Sequence, residues 1–161
     1  MIVRELRPDD WPAVRSIYEE GIRSGHATFE TESPSWAVWD AAHPQLRLVA
    51  ERDGSVLGWA ALSPASSRRC YRGVADVSVY VAEAARGAGL GRALLDRLVE
   101  LSEQAGYWTL TAGVFPENEP SLRLHRACGF REVGVRERLG ESGGVWRDVV
   151  LLERRSTLVG A

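Results

Sequence analysis

The run Arg86-Gly87-Ala88-Gly89-Leu90-Gly91-Arg92 follows closely on the apolar stretch Ala75-Asp76-Val77-Ser78-Val79-Tyr80-Val81. Residues of these types, in this order, can hold an anion. Glycines let the backbone take positive φ and approach a ligand closely. A helix opening at Leu90 would present unpaired N–H groups and the positive end of its dipole to that ligand. Arg86 and Arg92 add positive charge on either side. The expected chemistry is a phosphate or pyrophosphate cradle; the plain alternative is a tight strand-to-helix turn. A Walker loop ends in Gly-Lys-Ser/Thr, whereas Gly91 is followed by Arg92-Ala93. The dinucleotide fingerprint would place a third glycine at position 92, which is arginine, and it stands in the first βα turn of its fold rather than past the midpoint of the chain. What remains is Arg-x-x-Gly-x-Gly after a strand ending Val-Tyr-Val.

Elements on both sides must position this loop. Ile2 to Leu6 reads as a short strand, and Pro8-Asp9-Asp10 as a helix start. Trp11, Val14, Ile17 or Tyr18, and Ile22 then recur at helical spacing, with Gly21 weakening that helix and Gly25 ending it. Thr28 to Glu32 is a polar loop carrying Phe29. Ser33-Pro34-Ser35 opens a second short helix with Trp36 and Trp39. Leu46 to Glu51 and Ser55 to Leu62 are strands joined by the hairpin signal Asp53-Gly54. A loop from Ser63 to Arg72 leads to the central strand. There Val77, Val79 and Val81 alternate with Asp76, Ser78 and Tyr80. Leu90, Leu94, Leu98 and Leu101 line one face of a helix from Leu90 to Ala105, with Gly106 as its stop. Tyr107 to Val114 is a strand. Pro116 to Ser121 turns into a helix that ends at Cys128-Gly129. Phe130 to Arg138 and Val145 to Glu153 form a last hairpin across Gly140 to Gly144. The order β-α-α-β-β-β-α-β-α-β-β is neither strict alternation nor all-β, so the expected class is α+β with a mixed, mostly antiparallel sheet flanked by helices.

Composition narrows the function classes. The chain has 161 residues, expected to form one domain over 1–161. A net charge of −2 gives no electrostatic case for nucleic acid or a membrane surface. No apolar run reaches the roughly 20 residues that span a bilayer, and the first residues show no signal-peptide pattern. Two cysteines, Cys70 and Cys128, make no disulfide framework, and the expected compartment is the cytoplasm. His26, His43 and His125 lack metal-ligand spacing, so no metal is expected.

The glycine loop resembles the pyrophosphate-binding motif of the GNAT superfamily of N-acetyltransferases, and the element order matches the GNAT (acyl-CoA N-acyltransferase) fold. A closer resemblance is to the phosphinothricin and methionine sulfoximine or sulfone acetyltransferase branch. It is carried by Thr28-Phe29-Glu30-Thr31-Glu32, Ser78-Val79-Tyr80-Val81, Arg86 to Gly91, Asn118-Glu119-Pro120-Ser121, Leu124-His125, Gly129-Phe130 and Trp146-Arg147-Asp148. The branch implies acetyl transfer from acetyl-CoA to the α-amine of a small glutamate- or methionine-like amino acid, and a homodimer. By position it makes Val79, Tyr80 and Val81 the backbone contact for the acetyl-pantetheine arm. Arg86, Gly87, Ala88, Gly89, Leu90, Gly91 and Arg92 become the pyrophosphate site. Asn118 and Ser121 bind further along the arm, and Phe29, Glu30 and Arg72 lie at the amino-acid pocket. Where the branch usually has Glu, ahead of Ser-Val-Tyr-Val, this chain has Asp76, one methylene shorter.

Acetyl transfer to an amine needs a group that takes the ammonium proton. Asp76 is the candidate base, acting directly or through one water; the alternative is a structural carboxylate bonded to a neighbouring strand. Burial among the valines would raise its pKa and improve it as a base. A backbone N–H near Val79 would stabilise the oxyanion. His125 stands where many superfamily members have a Tyr that protonates the leaving thiolate, and it reads either as that donor or as a packed histidine bonded to a carbonyl. Arg72 reads as a bidentate clamp for a substrate anion or as a solvated loop residue, and Glu30 as an ammonium contact or a loop acid. Acetylation of a protein N-terminus or another amine, and a non-catalytic acyl-CoA-binding module, remain the alternatives.

Overall fold

The computed structural model describes residues 1–161. Eleven elements follow in the expected order: β1 (Ile2–Glu5), α1 (Trp11–Ser24), α2 (Trp36–Ala42), β2 (Arg47–Arg52), β3 (Ser55–Pro64), β4 (Val74–Val81), α3 (Leu90–Gln104), β5 (Thr109–Val114), α4 (Glu119–Ala127), β6 (Arg131–Ser142) and β7 (Val145–Arg155). Short 3-10 turns occupy Pro8–Asp10, Arg69–Tyr71 and Glu83–Ala85. The strands form one sheet in the order β1-β2-β3-β4-β5-β7-β6, antiparallel everywhere except between β4 and β5. This is the expected mixed sheet with helices on its faces. None of the helices is long and apolar enough to cross a membrane.

Helices pack on both sides because β4 alternates. Tyr80 turns to α1, where its ring lies against Gly21; a Cβ there would sit 2.7 Å from Tyr80 Cε2. Gly21 is therefore an interior residue of α1 rather than its weak end, and the helix stops at Gly25 in the left-handed region (φ 74°). Val81 turns the other way, to α3 and α4, where Gly91 leaves room for it and for Leu124. Leu94, Leu95 and Leu98 of α3 are fully buried against the sheet. Truncating such a residue to Ala typically costs about 2–5 kcal/mol.

Two irregularities in strand pairing shape the functional face. The parallel partners β4 and β5 stay in register only over Val74–Asp76 with Thr109–Thr111. Beyond Asp76 they part, while β4 remains paired with β3 as far as Gly58↔Val81. Hydrogen bonds from Ala82 N to Leu57 O and from Ala65 N to Val74 O fix the phase of that antiparallel ladder. Even-numbered residues of β4 bond to β3, so the N–H and C=O groups of Val79 and Val81, beyond the last rung to β5, face the opening on the β5 side.

The second irregularity lies in the final hairpin. Its turn is only Gly143-Gly144, both with positive φ, and β6 runs through Gly140 into what the sequence suggests is loop. The register slips between Arg136↔Val149 and Gly140↔Arg147, forming a bulge. Arg138 takes φ 44° in that bulge, and its N–H donates to Asp148 Oδ1 at 2.8 Å.

Candidate active site

A groove of about 510 Å³ opens where β4 and β5 diverge. Val79, Tyr80 and Val81 form its floor, Arg86, Gly87, Gly89, Leu90, Gly91 and Arg92 one end, and Asn118, Ser121 and Leu124 a wall. Every residue expected to hold acetyl-CoA lines it except Ala88. Gly87 and Gly89 both have positive φ, 80° and 84°, which other residues adopt at a cost. Gly89 is the N-cap of α3 and supplies no side-chain cap, so the first-turn N–H groups of the helix stay available to an anion. Arg92 is steadied by Asp96 one turn on (2.8 Å). Asn118 caps α4 by accepting from Ser121 N (3.3 Å), while its Nδ2 donates to His26 O (3.1 Å), tying the segment after α1 to the groove wall.

A second cavity of about 420 Å³ adjoins the groove; Tyr80 and Ala27 line both. Asp76, Ser78, Phe29, Glu30, Phe115, Arg136 and Leu139 line this one, with Val149 and Leu151 of β7. Phe29 meets Phe115 edge to face (centroids 4.8 Å, 80°). It also lies so close to Gly140 that a Cβ there would be 2.8 Å from the ring. Arg147 braces this roof: its guanidinium sits 3.8 Å from the centre of the Phe115 ring and bonds Gly25 O, His26 Nδ1 (3.1 Å) and Glu117 Oε2 (3.2 Å). The Tyr80 hydroxyl donates to Ala27 O (3.4 Å), and burial, with Tyr18 beside it, pushes its pKa well up, so the phenol stays neutral.

Asp76 faces the second cavity but is exposed, not enclosed as the sequence suggests. Ala75 and Val77 are buried on the opposite face of the strand, so they shield themselves and not the carboxylate between them. Thr111, its register partner on β5, donates its hydroxyl to Asp76 Oδ1, which fixes the carboxylate at the point where the strands part. Oδ2 is left for a ligand or water.

Besides Ala88, two of the expected site residues fall outside both cavities. Arg72 stands on the loop before β4, where its guanidinium stacks 5.3 Å from the Trp108 ring centre and bonds Arg69 O. Held against Trp108, Arg72 does not line the second cavity. His125 is buried on α4, its Nδ1 donating to Ser121 O (2.7 Å) and its ring edge-on to Phe130. Burial lowers its pKa, so it is a neutral packed histidine rather than a donor facing the groove. Cys128, also buried, has its thiol pushed up to about 12 by burial, with Asp96 adding to the effect, and is no nucleophile. Thr111 and Arg136 carry parts of the site that the sequence does not signal, and Arg147, within the Trp146-Arg147-Asp148 motif, carries a contact that the motif does not specify. Their contacts with Asp76, the second cavity and the α1 terminus arise from pairings 35 to 122 residues apart in the chain.

A divergent parallel strand pair with a glycine-capped helix at its mouth and an acid-lined cavity beside it describes an acyl-CoA-dependent transferase. Residues 3–130 match the acetyltransferase (GNAT) family, and the chain belongs to it. It is 41% identical to the phosphinothricin N-acetyltransferase of Alcaligenes faecalis over 94% of this chain and 81% of that one. It is 30% identical to the L-methionine sulfoximine/L-methionine sulfone acetyltransferase of Salmonella typhimurium over 95% of this chain and 93% of that one. The crystal structure of a GNAT superfamily phosphinothricin acetyltransferase from Sinorhizobium meliloti in complex with acetyl-CoA superposes with a TM-score of 0.90. It is 30% identical and covers 99% of this chain and 90% of that one. The chain is thus an N-acetyltransferase.

Proposed function

We propose that this chain, as one domain, moves the acetyl group of acetyl-CoA to the α-amine of a small amino acid of the phosphinothricin, methionine sulfoximine or methionine sulfone type, by direct attack in a ternary complex. One observation carries the reading: the unpaired backbone of Val79 and Val81 borders the groove at the place where the acid-lined cavity adjoins it. The two reactants would bind on either side of that edge, as direct transfer demands. The amides from Gly87 to Gly91, with Arg86 and Arg92, hold a pyrophosphate; the backbone of Val79 and Val81 holds the amide-bearing arm; Asn118 and Ser121 line its path. The bound thioester supplies an activated acyl carbon. Val79 N–H stabilises negative charge on the carbonyl oxygen as the amine adds. Asp76, oriented by Thr111, takes the ammonium proton directly or through one water, leaving a neutral nucleophile. Glu30 adds a second negative charge at the ammonium end of the cavity.

The reading includes a cytoplasmic homodimer. It is supported by Val133, Val135 and Leu139 on the edge strand β6 and Val145 and Trp146 at its turn, all large apolar residues exposed in the single chain. Sedimentation should give twice the chain mass.

Thiol release from acetyl-CoA with phosphinothricin, methionine sulfoximine and methionine sulfone tests the activity. Saturable turnover is expected, with a loss of about 10²–10⁴-fold in Asp76→Ala and Asp76→Asn and acetyl-CoA binding intact. Turnover kept in both variants would remove Asp76 as base. Failure with all three compounds, beside turnover of N-terminal peptides, would move the reading to protein N-termini.

A further inference from the structure

Arg136 is the one cation among the residues lining the second cavity, and its guanidinium has no ion-pair or hydrogen-bond partner within the chain. The neighbouring arginines Arg72, Arg138 and Arg147 do not line it. Arg147 is spent on Gly25, His26 and Glu117, and Arg138 sits in the bulge with Asp148 bonded to its N–H. Arg72 is stacked on Trp108 outside the cavity. An unpaired arginine beside Asp76 and Glu30 gives the cavity one positive and two negative groups, the complement of a zwitterion.

The backbone explains why Arg136 points there. It lies opposite Val149 in the β6–β7 ladder, and Val149 lines the same cavity. Directly after Arg136 the register slips, and the bulge brings Leu139 to the cavity as well. Bulges re-aim side chains next to ligand sites. The positive φ of Arg138, 44°, is held by the bond from its N–H to Asp148. In sheet order Arg136 is three strands from Asp76. Across the sheet that is about 14 Å of backbone at ~4.8 Å per strand, and the register sets Val149, the partner of Arg136, four residues along β7 from Glu153, the partner of Thr111, so Arg136 and Asp76 stand at opposite ends of the cavity.

Resting on the function proposed above, we infer that Arg136 binds the α-carboxylate of the amino-acid substrate and thereby takes the place expected for Arg72. The remaining wall (Phe29, Phe115, Leu139, Val149, Leu151) is apolar and suits a substrate side chain without a formal charge, such as a sulfone. The single cation then serves the one anion that all three candidate substrates share. Arginine is suited to this because its planar fork meets a carboxylate with two parallel hydrogen bonds.

The test measures binding to the CoA-saturated protein by calorimetry, and turnover, with L-methionine sulfone, its α-carboxamide and phosphinothricin. The wild type should prefer the acid to the amide. Arg136→Ala should weaken methionine sulfone and phosphinothricin alike, by about 10–100-fold, seen mainly in KM, and leave the amide unchanged. Arg136→Lys should restore part of the loss. Arg136→Gln, with the same thermal midpoint as the wild type, guards against misfolding. Equal weakening of acid and amide, weakening of phosphinothricin alone, or no change in any of them would overturn the assignment while wild-type turnover keeps the proposed function standing. Failure of the wild type to bind or acetylate either amino acid would remove the substrate reading, and Arg136's role with it.

Discussion

Replacing Gly21 by Ala sets two opposed effects against each other, and the structure fixes the sign. In a helix interior Ala is favoured over Gly by about 1 kcal/mol. Against this, the new Cβ would lie 2.7 Å and 2.9 Å from two carbons of the Tyr80 ring. Reaching ordinary contact at 3.4 Å requires a shift of 0.7 Å (3.4 − 2.7). The ring cannot yield easily, because Trp59 stacks on it at 4.8 Å and 11° and Tyr18 lies 5.1 Å away. Overpacking of this kind costs about 1–3 kcal/mol. The net expectation is a loss of about 1 kcal/mol, or ~2–4 °C in Tm for a chain of this size. The decisive comparison is the same substitution in a Tyr80→Ala background, where the obstruction is gone and helix propensity alone should stabilise by about 0.5–1 kcal/mol. Urea unfolding with unchanged m values would read both, and the change of sign amounts to a coupling of about 2 kcal/mol. A stabilising Gly21→Ala in the wild type, or equal effects in the two backgrounds, would refute the close packing of α1 on Tyr80.

Two further outcomes are expected. Gly140→Ala should push Phe29 off its seat, since the Cβ would meet the ring at 2.8 Å; losing an aromatic pair worth about 0.5–1.5 kcal/mol should raise KM for the amino acid severalfold, and an unchanged KM in steady-state kinetics would contradict that roof. His125 has a pKa lowered below 6.5 by burial, so the unfolded chain takes up a proton first as pH falls. Its contribution is full above pH 6.5 and is lost as pH falls from there through the folded value. His43, lowered for the same reason, acts in the same window. His125→Gln should therefore flatten part of the acid limb of stability in urea titrations while keeping turnover, where loss of a general acid would cost about 10²–10⁴-fold.

The order of elements is legible in the sequence because hydrophobic periodicity and turn residues are local. Asp53-Gly54, Gly25 and the Gly87–Gly89 loop each act within a few residues, and each turn lies where its residues place it. The groove along β4 is equally legible, since one loop and one strand build most of it. What the sequence obscures depends on partners. Asp76 between Ala75 and Val77 suggests burial, yet a strand's alternation sends those neighbours to the other face. Arg72, beside the strand, is captured by Trp108, which comes from the loop before β5. Gly140 has the look of a loop residue but lies within a strand, needed where Phe29 arrives from more than a hundred residues upstream.

Both halves of the site lie where strand pairing fails. Had β4 and β5 remained in register past Asp76, the N–H and C=O groups of Val79 and Val81 would be consumed by the sheet and no groove would exist. Had β6 and β7 paired without a slip, neither the left-handed Arg138 nor the turn of Leu139 into the cavity would follow Arg136. Each interruption has a fixed anchor beside it. Thr111 bonds Asp76 at the last paired step of the divergence, and Asp148 bonds the Arg138 N–H within the bulge. The anchors are short polar side chains whose removal leaves the core untouched, so they separate function from stability. Thr111→Val and Asp148→Ala act at the proposed base and at the proposed carboxylate clamp respectively, and they should be distinguishable by which kinetic constant moves: kcat for the first, KM for the second.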